Sequence, residues 1–438
     1  MKHNVASSAV VLSLFAWLLG SVGMMPLVRG QSKGDPATGM LLATVNFQNN
    51  QEEANAFQAM KKGEMSATGP EARRILDDAA KWYAYRFTHQ EYQQPKSGSK
   101  GMQQLRTDAR DQVLNPRKPG KALTQEQVAF AGEFGKVFTA RLREVADTSK
   151  PIARENAAMI LADLAASGQE VAADALVEIL RKPQENDAVK LWALRGLSGL
   201  FEIGANDDVD AFRDKEREAR CIQALLDYLG ERSNLPPGLP PEEVGAITYV
   251  RKEAVKALGQ TRFPASAKLV RKEHVLERLT ALALTRVLVG EGLVPEPSLK
   301  EQVFAAVALC RLQPRLCQEY QPDYAAYYTG RFVVDFVQRY TNEKDQKREP
   351  WKLLAAEMIK GLSKLRATLE GPPSHESFQY VNKIAAQADT LLREVVVGGA
   401  TPSPTDLSEW LDKNPPKASS TYKGLASAVV QGGDKRPK

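Results

Sequence analysis

Apolar residues recur every three or four positions along most of the 438-residue chain, and this spacing predicts amphipathic helices. The pattern is clearest in residues 247–259, where Arg251 is followed at three, six, seven and eight positions by small or apolar residues. These residues share one face of a helix: Ala254, Ala257, Leu258 and Gly259. Because three of the four are Ala or Gly, a second helix can approach closely, and we expect this helix to stack.

The same pattern recurs along the chain. Each of its three good copies has a basic residue, an alanine three positions later and a leucine seven positions later: Arg154, Ala157 and Leu161; Lys190, Ala193 and Leu197; Arg251, Ala254 and Leu258. Two degraded copies begin at Gln302 and Lys352. The separation is 36 residues from Arg154 to Lys190 and 61 residues from Lys190 to Arg251. Because a helix–turn–helix unit needs about 35 to 45 residues, the longer intervals carry insertions.

Another apolar helix precedes each copy, and these helices are predicted in residues 128–145, 171–180, 220–229, 267–289 and 331–339. Prolines fall in the connections, where a missing amide hydrogen does no harm. Thr124 and Gln127 form a capping box at the start of the first of these helices. The sequence therefore predicts pairs of helices joined by short turns, in which the basic residue ties one repeat to the next.

The stretch 250–259, VRKEAVKALG, resembles the second helix of a HEAT repeat, and the resemblance covers about residues 125–365. It implies an all-α fold, a right-handed α-solenoid of HEAT-like helix pairs, and binding of other proteins along a curved surface. The chain departs from the repeat in three respects. Gln302 replaces the basic residue, the intervals vary, and a final helix within residues 366–397 lies outside the pattern.

Residues 1–30 have the order of a secretory signal, with Lys2 and His3 first, then an apolar core, then small or modest side chains before a cleavage site at Gln31. An uncleaved membrane anchor is the alternative, because the apolar stretch is interrupted only by small polar groups, glycines and Pro26. The short apolar core and the helix-breaking proline favour cleavage. We therefore expect an exported protein, periplasmic or extracellular.

The remaining chain divides by composition into three parts. Residues 31–121 are predicted to form an N-terminal helical region with flexible linkers, and residues 122–397 the HEAT-like helical repeat domain. In residues 398–438, Gly, Pro, Ser, Thr and Lys dominate and apolar residues are too few to form a core. This last part is expected to be a disordered tail, apart from a short helix around Trp410.

The charge of the chain bears on its partners. Removal of residues 1–30 takes Lys2 and Arg29 from the 59 basic residues and leaves the 53 acidic residues, for a net charge of +4. Spread over about four hundred residues, this excess does not form the dense basic surface that nucleic acid requires. We expect a protein or cell-envelope partner, no nucleic acid, and contact with the membrane only if the N-terminal segment stays uncleaved.

Three cysteines, Cys221, Cys310 and Cys317, leave at least one thiol unpaired within the chain in an oxidising compartment. Pro314 breaks the helix between Cys310 and Cys317, so a disulfide between these two is a candidate that the spacing permits without requiring. Cys221 lies in an apolar helical pattern, which favours a buried small hydrophobic residue.

Motifs of catalysis or cofactor binding are not found, so no catalytic, cofactor-binding or metal-binding residue is predicted. Residues 206–210 place three carboxylates close together, but they lack the Gly and the distal Glu of a helix–loop–helix calcium site, which favours helix capping. Paired carboxylates that hydrolyse polysaccharides stay an open alternative, because Asp and Glu residues far apart in sequence could converge.

Tyr324, Tyr327 and Tyr328 are candidate partner contacts, because clustered tyrosines suit protein interfaces and sugar stacking. Their helical spacing equally suits burial, which we favour.

The sequence leaves two candidate functions. The first is an exported, non-catalytic scaffold or adaptor that binds protein in the periplasm or cell envelope. The alternative is a secreted α/α-type carbohydrate-active enzyme or glycan-binding protein, which the aromatic clusters motivate.

Overall fold

The structure is a computed structural model, and it describes residues 40–41, 47, 49–94, 101–115, 122–207, 212–231, 238–261, 280–313, 320, 322–343, 350–369, 377–398 and 401–416. Within these ranges the chain is all-α, with no β-strand. The predicted signal, residues 1–30, lies outside the described residues. So do residues 208–210 of the carboxylate-rich stretch 206–210 and most of the two predicted linkers, residues 95–101 and 115–121.

Four helices and one 3₁₀ turn make up the N-terminal region: α1 (Gln51–Lys62), α2 (Pro70–Tyr85), the turn Arg86–Thr88, α3 (Gln90–Gln93) and α4 (Met102–Arg110). Ten helices follow, alternately called first and second helices, and we call them the paired region after the pairs that the sequence predicts: α5 (Gln125–Ala146), α6 (Pro151–Ala166), α7 (Ala172–Arg181), α8 (Asp187–Asp207), α9 (Lys215–Glu231), α10 (Pro241–Gln260), α11 (Thr280–Val289), α12 (Leu299–Arg311), α13 (Pro322–Asn342) and α14 (Trp351–Leu369). The last two are α15 (Phe378–Val397) and α16 (Thr405–Lys413).

The ends of these helices follow from local chemistry. Thr124 and Gln127 make the predicted capping box of α5, in which each side chain binds a backbone amide at the other residue. Ser298 and Glu301 make the same arrangement at α12. Helices α2, α6 and α10 begin with proline, whose fixed φ suits the first turn.

Helices of the paired region pack in two rows. The second helices of the pairs contact one another in succession, α6 with α8, α8 with α10, α10 with α12 and α12 with α14. The first helices do the same, from α5 through α7, α9 and α11 to α13. Helix α15 contacts both α13 and α14, whereas α1 and α2 contact α5 and α4 contacts α6. Each second helix contains one of the five copies of the repeated sequence pattern.

Small residues set the distance between consecutive second helices. A Cβ atom placed on Gly259 of α10 would lie 2.6 Å from the Cβ atom of Ala308 on α12. A Cβ atom on Gly196 of α8 would lie 2.8 Å from the Cα atom of Ala162 on α6. Both distances are shorter than side-chain contacts allow, so the backbones approach this closely only because these positions have no side chain.

One fully buried ion pair joins α10 to α12. The Nε atom of Arg251 donates to Oε1 of Glu301 over 2.5 Å, and neither side chain is exposed to solvent. The other carboxylate oxygen of Glu301 accepts from the backbone amide of Ser298 at 2.7 Å and from its hydroxyl at 2.9 Å. Glu301 thus caps its own helix and binds the neighbouring one. Arg251 thus joins α10 to α12, while its role in tying one repeat to the next stays a prediction.

The basic residues of the two preceding copies bind the turns that connect paired helices. Arg154 donates through Nη1 to the carbonyl oxygen of Thr148 at 3.3 Å, and its Nε lies 3.2 Å from a carboxylate oxygen of Glu185, just before α8. Lys190 donates to the carbonyl oxygen of Pro183, between α7 and α8, at 3.4 Å. These contacts hold the second helix of each pair at a fixed distance from the turn that precedes it.

Gln302, which replaces the basic residue in its copy, binds the preceding helix without a charge. Its side-chain amide donates to the carbonyl oxygen of Leu288 at the end of α11 over 3.1 Å. Lys352, in the weakest copy, is exposed. The alanine and leucine positions of the three good copies are all fully buried: Ala157, Leu161, Ala193, Leu197, Ala254 and Leu258.

Helix α16 is the short helix that the sequence predicts around Trp410. Leu407 and Leu411 are buried, and α16 contacts α13 and α15. Leu411 packs against Gly330 of α13, where an added Cβ would lie 3.3 Å from its Cδ1 atom. The helix therefore packs against the core, because its leucines meet an apolar surface on α13 and α15. Residues 417–438 lie outside the described part of the chain, so the disordered tail stays a prediction there.

Replacement of Gly259 by alanine tests the close approach of α10 and α12. Because the new methyl group would overlap Ala308, Gly259→Ala should lower the free energy of unfolding by about 1–3 kcal/mol in urea denaturation. Gly245 is the matched control on the same helix, since nothing lies within 4 Å of its added Cβ. Gly245→Ala should instead stabilise by up to about 1 kcal/mol. Equal effects of the two substitutions would contradict the packing argument.

The Arg251–Glu301 pair calls for a double-mutant cycle. Arg251→Met leaves a carboxylate buried without its partner and should lower the free energy of unfolding by about 3–5 kcal/mol. Adding Glu301→Gln, which removes the charge and keeps an acceptor for Ser298, should recover part of that loss. The control is Arg143→Met, because the Arg143–Glu178 pair is about half exposed and should contribute less than about 1 kcal/mol. Strict additivity of the two buried substitutions would contradict the coupling.

Candidate functional site

The tyrosines proposed from sequence as partner contacts lie on α13 and are buried. Tyr324, Tyr327 and Tyr328 expose 2%, 7% and 3% of their surfaces. Burial raises the pKa of Tyr328, and the Tyr327 hydroxyl accepts from the Arg331 guanidinium at 3.1 Å. All three therefore have the surroundings of core residues, which is the arrangement that their helical spacing favours. A direct role in partner contact stays a prediction.

The cysteine pair proposed as a disulfide is described at one end only. Cys310 on α12 is buried, and burial raises the pKa of its thiol to about 12. Cys317 lies outside the described residues, so the bridge stays a prediction. Cys221 on α9 is also buried, and burial raises its thiol pKa too. The expectation that Cys221 serves as a small hydrophobic residue fits this position.

The described ranges contain neither a metal-binding cluster nor a membrane-spanning helix. No group of three or more His, Cys, Asp or Glu side chains there is placed to hold a metal ion. Within the same ranges, none of the helices combines the length and the apolar character needed to cross a membrane.

A surface cluster on the second helices is the strongest candidate site. Three aromatic and three basic side chains, all partly exposed, alternate across three consecutive second helices, α8, α10 and α12. We call this cluster the aromatic–basic face: Trp192, Arg195, Tyr249, Lys252, Lys256 and Phe304.

Direct contacts make this face continuous from one helix to the next. On α8 the Arg195 guanidinium lies 4.8 Å from the centre of the Trp192 ring, and its Nη2 donates to the Tyr249 hydroxyl of α10 over 2.8 Å. Along α10 the ammonium group of Lys252 lies 4.1 Å from the centre of the Tyr249 ring. A cation over an aromatic ring is attracted by the negative face of that ring. The basic side chains are thus held in place by the rings.

The third helix is joined in the same way. The ammonium group of Lys256 on α10 lies 4.5 Å from the centre of the Phe304 ring on α12. Glu253 lies between the two lysines, accepting from Lys256 at 3.3 Å and lying 3.5 Å from the nitrogen of Lys252. Three cations against this one carboxylate leave an excess of two positive charges in the cluster.

Four of these side chains share positions in the repeated pattern. Trp192 and Phe304 come two positions after Lys190 and Gln302, the first residues of their copies, and Arg195 and Lys256 come five positions after Lys190 and Arg251. Positions two and five are neighbours on a helix and point away from the buried positions three and seven. Tyr249 and Lys252 lie two positions before and one position after Arg251, so the contacts of Arg195 with Tyr249 and of Lys256 with Phe304 join different positions of the copies. The pattern alone therefore does not predict which of these side chains meet.

The composition of the aromatic–basic face suits binding more than catalysis. Tyr, Trp and Arg are the residues most enriched at the energetic centres of protein interfaces. Tyr249 leaves 46% of its surface exposed, so a ligand could reach its ring. The rings and the cations are also fixed by one another before any partner arrives, which lowers the entropy lost on binding.

Comparison with known proteins adds no family to this description. No protein-family model, no curated protein and no solved structure matches the chain.

Proposed function

We propose that the protein is an exported, non-catalytic scaffold or adaptor that binds a protein partner in the periplasm or cell envelope. Its architecture in this proposal is a right-handed α-solenoid of HEAT-like pairs. Support for the architecture comes from the successive contacts of first helices with first helices and of second helices with second helices. Support for export comes from the sequence of residues 1–30 alone.

The aromatic–basic face is the observation that carries the binding role. It extends over three consecutive second helices, and its rings and cations are partly exposed rather than packed into the core. Repeat proteins bind partners on surfaces built from equivalent positions of successive repeats, because each repeat then adds one similar contact. Trp192 and Phe304 share the second position of their copies, and Arg195 and Lys256 share the fifth, so this part of the face has the property.

The carbohydrate-active alternative receives less support from the described residues. It was motivated by aromatic clusters, and the cluster on α13 is buried, so its rings do not offer open faces to a sugar. The protein-binding role is therefore the one we retain.

Site-specific photo-crosslinking tests this proposal. A photoreactive phenylalanine analogue in place of Tyr249 should crosslink one reproducible protein in the cells that make the chain. In the background Trp192→Ala/Phe304→Ala the yield should fall at least about tenfold, because two anchoring rings are lost.

The control places the same analogue at Lys136 on α5, whose side chain is 63% exposed and lies outside the face. This position should not give the same crosslinked product. If the product forms equally from Lys136, or survives the double alanine substitution unchanged, the aromatic–basic face is not the binding site.

A further inference from the structure

We infer that the aromatic–basic face binds an acidic peptide segment of its partner, laid across α8, α10 and α12. This inference rests on the proposed function, since it names the chemistry of the partner at the same surface. It goes further by stating which side chains the partner presents and how far apart they lie.

The sign of the charge comes from the cluster itself. Lys252 and Lys256 share one carboxylate, that of Glu253, whereas Arg195 contacts the Trp192 ring and the Tyr249 hydroxyl. A partner with carboxylates neutralises the remaining excess, whereas a basic segment meets like charge at three positions. Guanidinium and ammonium groups also form charge-assisted hydrogen bonds with carboxylates, which are stronger than neutral ones.

The rings distinguish a peptide from other polyanions. Half of the six side chains of the face are aromatic rings, because Trp192, Tyr249 and Phe304 alternate with the three cations. Nucleic-acid bases also stack on aromatic rings, but the excess of two charges is small for a phosphate backbone. An acidic peptide that also carries aliphatic or aromatic residues matches both halves.

The spacing of the helices sets the spacing of the carboxylates. Arg195 and Lys256 occupy equivalent positions of neighbouring second helices, and packed helices lie about 8–10 Å apart. A peptide in the polyproline II conformation advances about 3.1 Å per residue with three residues per turn, so side chains three positions apart lie on one face about 9 Å apart. A segment that crosses the helices therefore reaches successive cations with acidic residues about three positions apart.

A random-peptide display library, selected against the full chain, tests the inference. Wild-type protein should enrich peptides that have Asp or Glu at a spacing of three residues together with apolar residues. Binding of a selected peptide, synthesised with a fluorescent label, should weaken at least about tenfold with Lys252→Glu/Lys256→Glu. It should persist with Lys252→Arg/Lys256→Arg, which keeps the charge. Circular dichroism of each variant verifies that it remains folded.

The outcomes separate the two proposals. Selected peptides that depend on Trp192, Tyr249 and Phe304 but have neutral or basic sequences would overturn the acidic inference and leave the binding role intact. Failure to select any peptide that depends on these rings, together with loss of the photo-crosslink, would overturn both. Binding of polyglutamate, polygalacturonate and single-stranded DNA with equal affinity, unaffected by alanine at the three rings, would show general attraction of polyanions and also overturn the inference.

Discussion

Alanine and glycine set the distance between consecutive second helices, and the other features of the paired region depend on that distance. At Gly259 and Gly196 the neighbouring backbone lies within about 3 Å of where a Cβ atom would be. Such positions allow one helix to pack on the next at full contact, which buries the leucines of each copy. They also bring surface positions of neighbouring helices within reach of each other, without which Arg195 and Tyr249 could not bond.

The buried Arg251–Glu301 pair makes this packing specific. Small apolar residues alone would tolerate sliding of one helix along another, because one methyl group resembles the next. An ion pair that is buried away from solvent does not tolerate such sliding, since displacement by one turn would leave two charges buried and unpaired. Arg154, Lys190 and Gln302 form hydrogen bonds with backbone carbonyl groups near the turns and hold α6, α8 and α12 in place. These bonds constrain the helices less strictly than the buried ion pair does.

Sequence patterns predicted the helices of the paired region better than they predicted its surface. Helical spacing and proline positions are local signals, and Arg251 could be assigned a structural role because the residues three, six, seven and eight positions later are small or apolar. Its partner Glu301 could not be assigned, as it lies 50 residues later and serves as an ordinary helix cap in its own segment. The aromatic–basic face was missed because it exists only after stacking. The short helix around Trp410 was predicted but its packing was not, because its leucines need a surface made by α13 and α15.

Glu301 has one consequence for how this chain can change during evolution. Repeat proteins commonly gain and lose whole units, because each unit interacts with its neighbours through interchangeable surfaces. Here one carboxylate completes both the first turn of α12 and the interior of its junction with α10. A unit duplicated or deleted at this junction would separate the arginine from the only side chain described as its ionic partner. We therefore expect α10 and α12 to remain neighbours while units are gained or lost elsewhere in the chain.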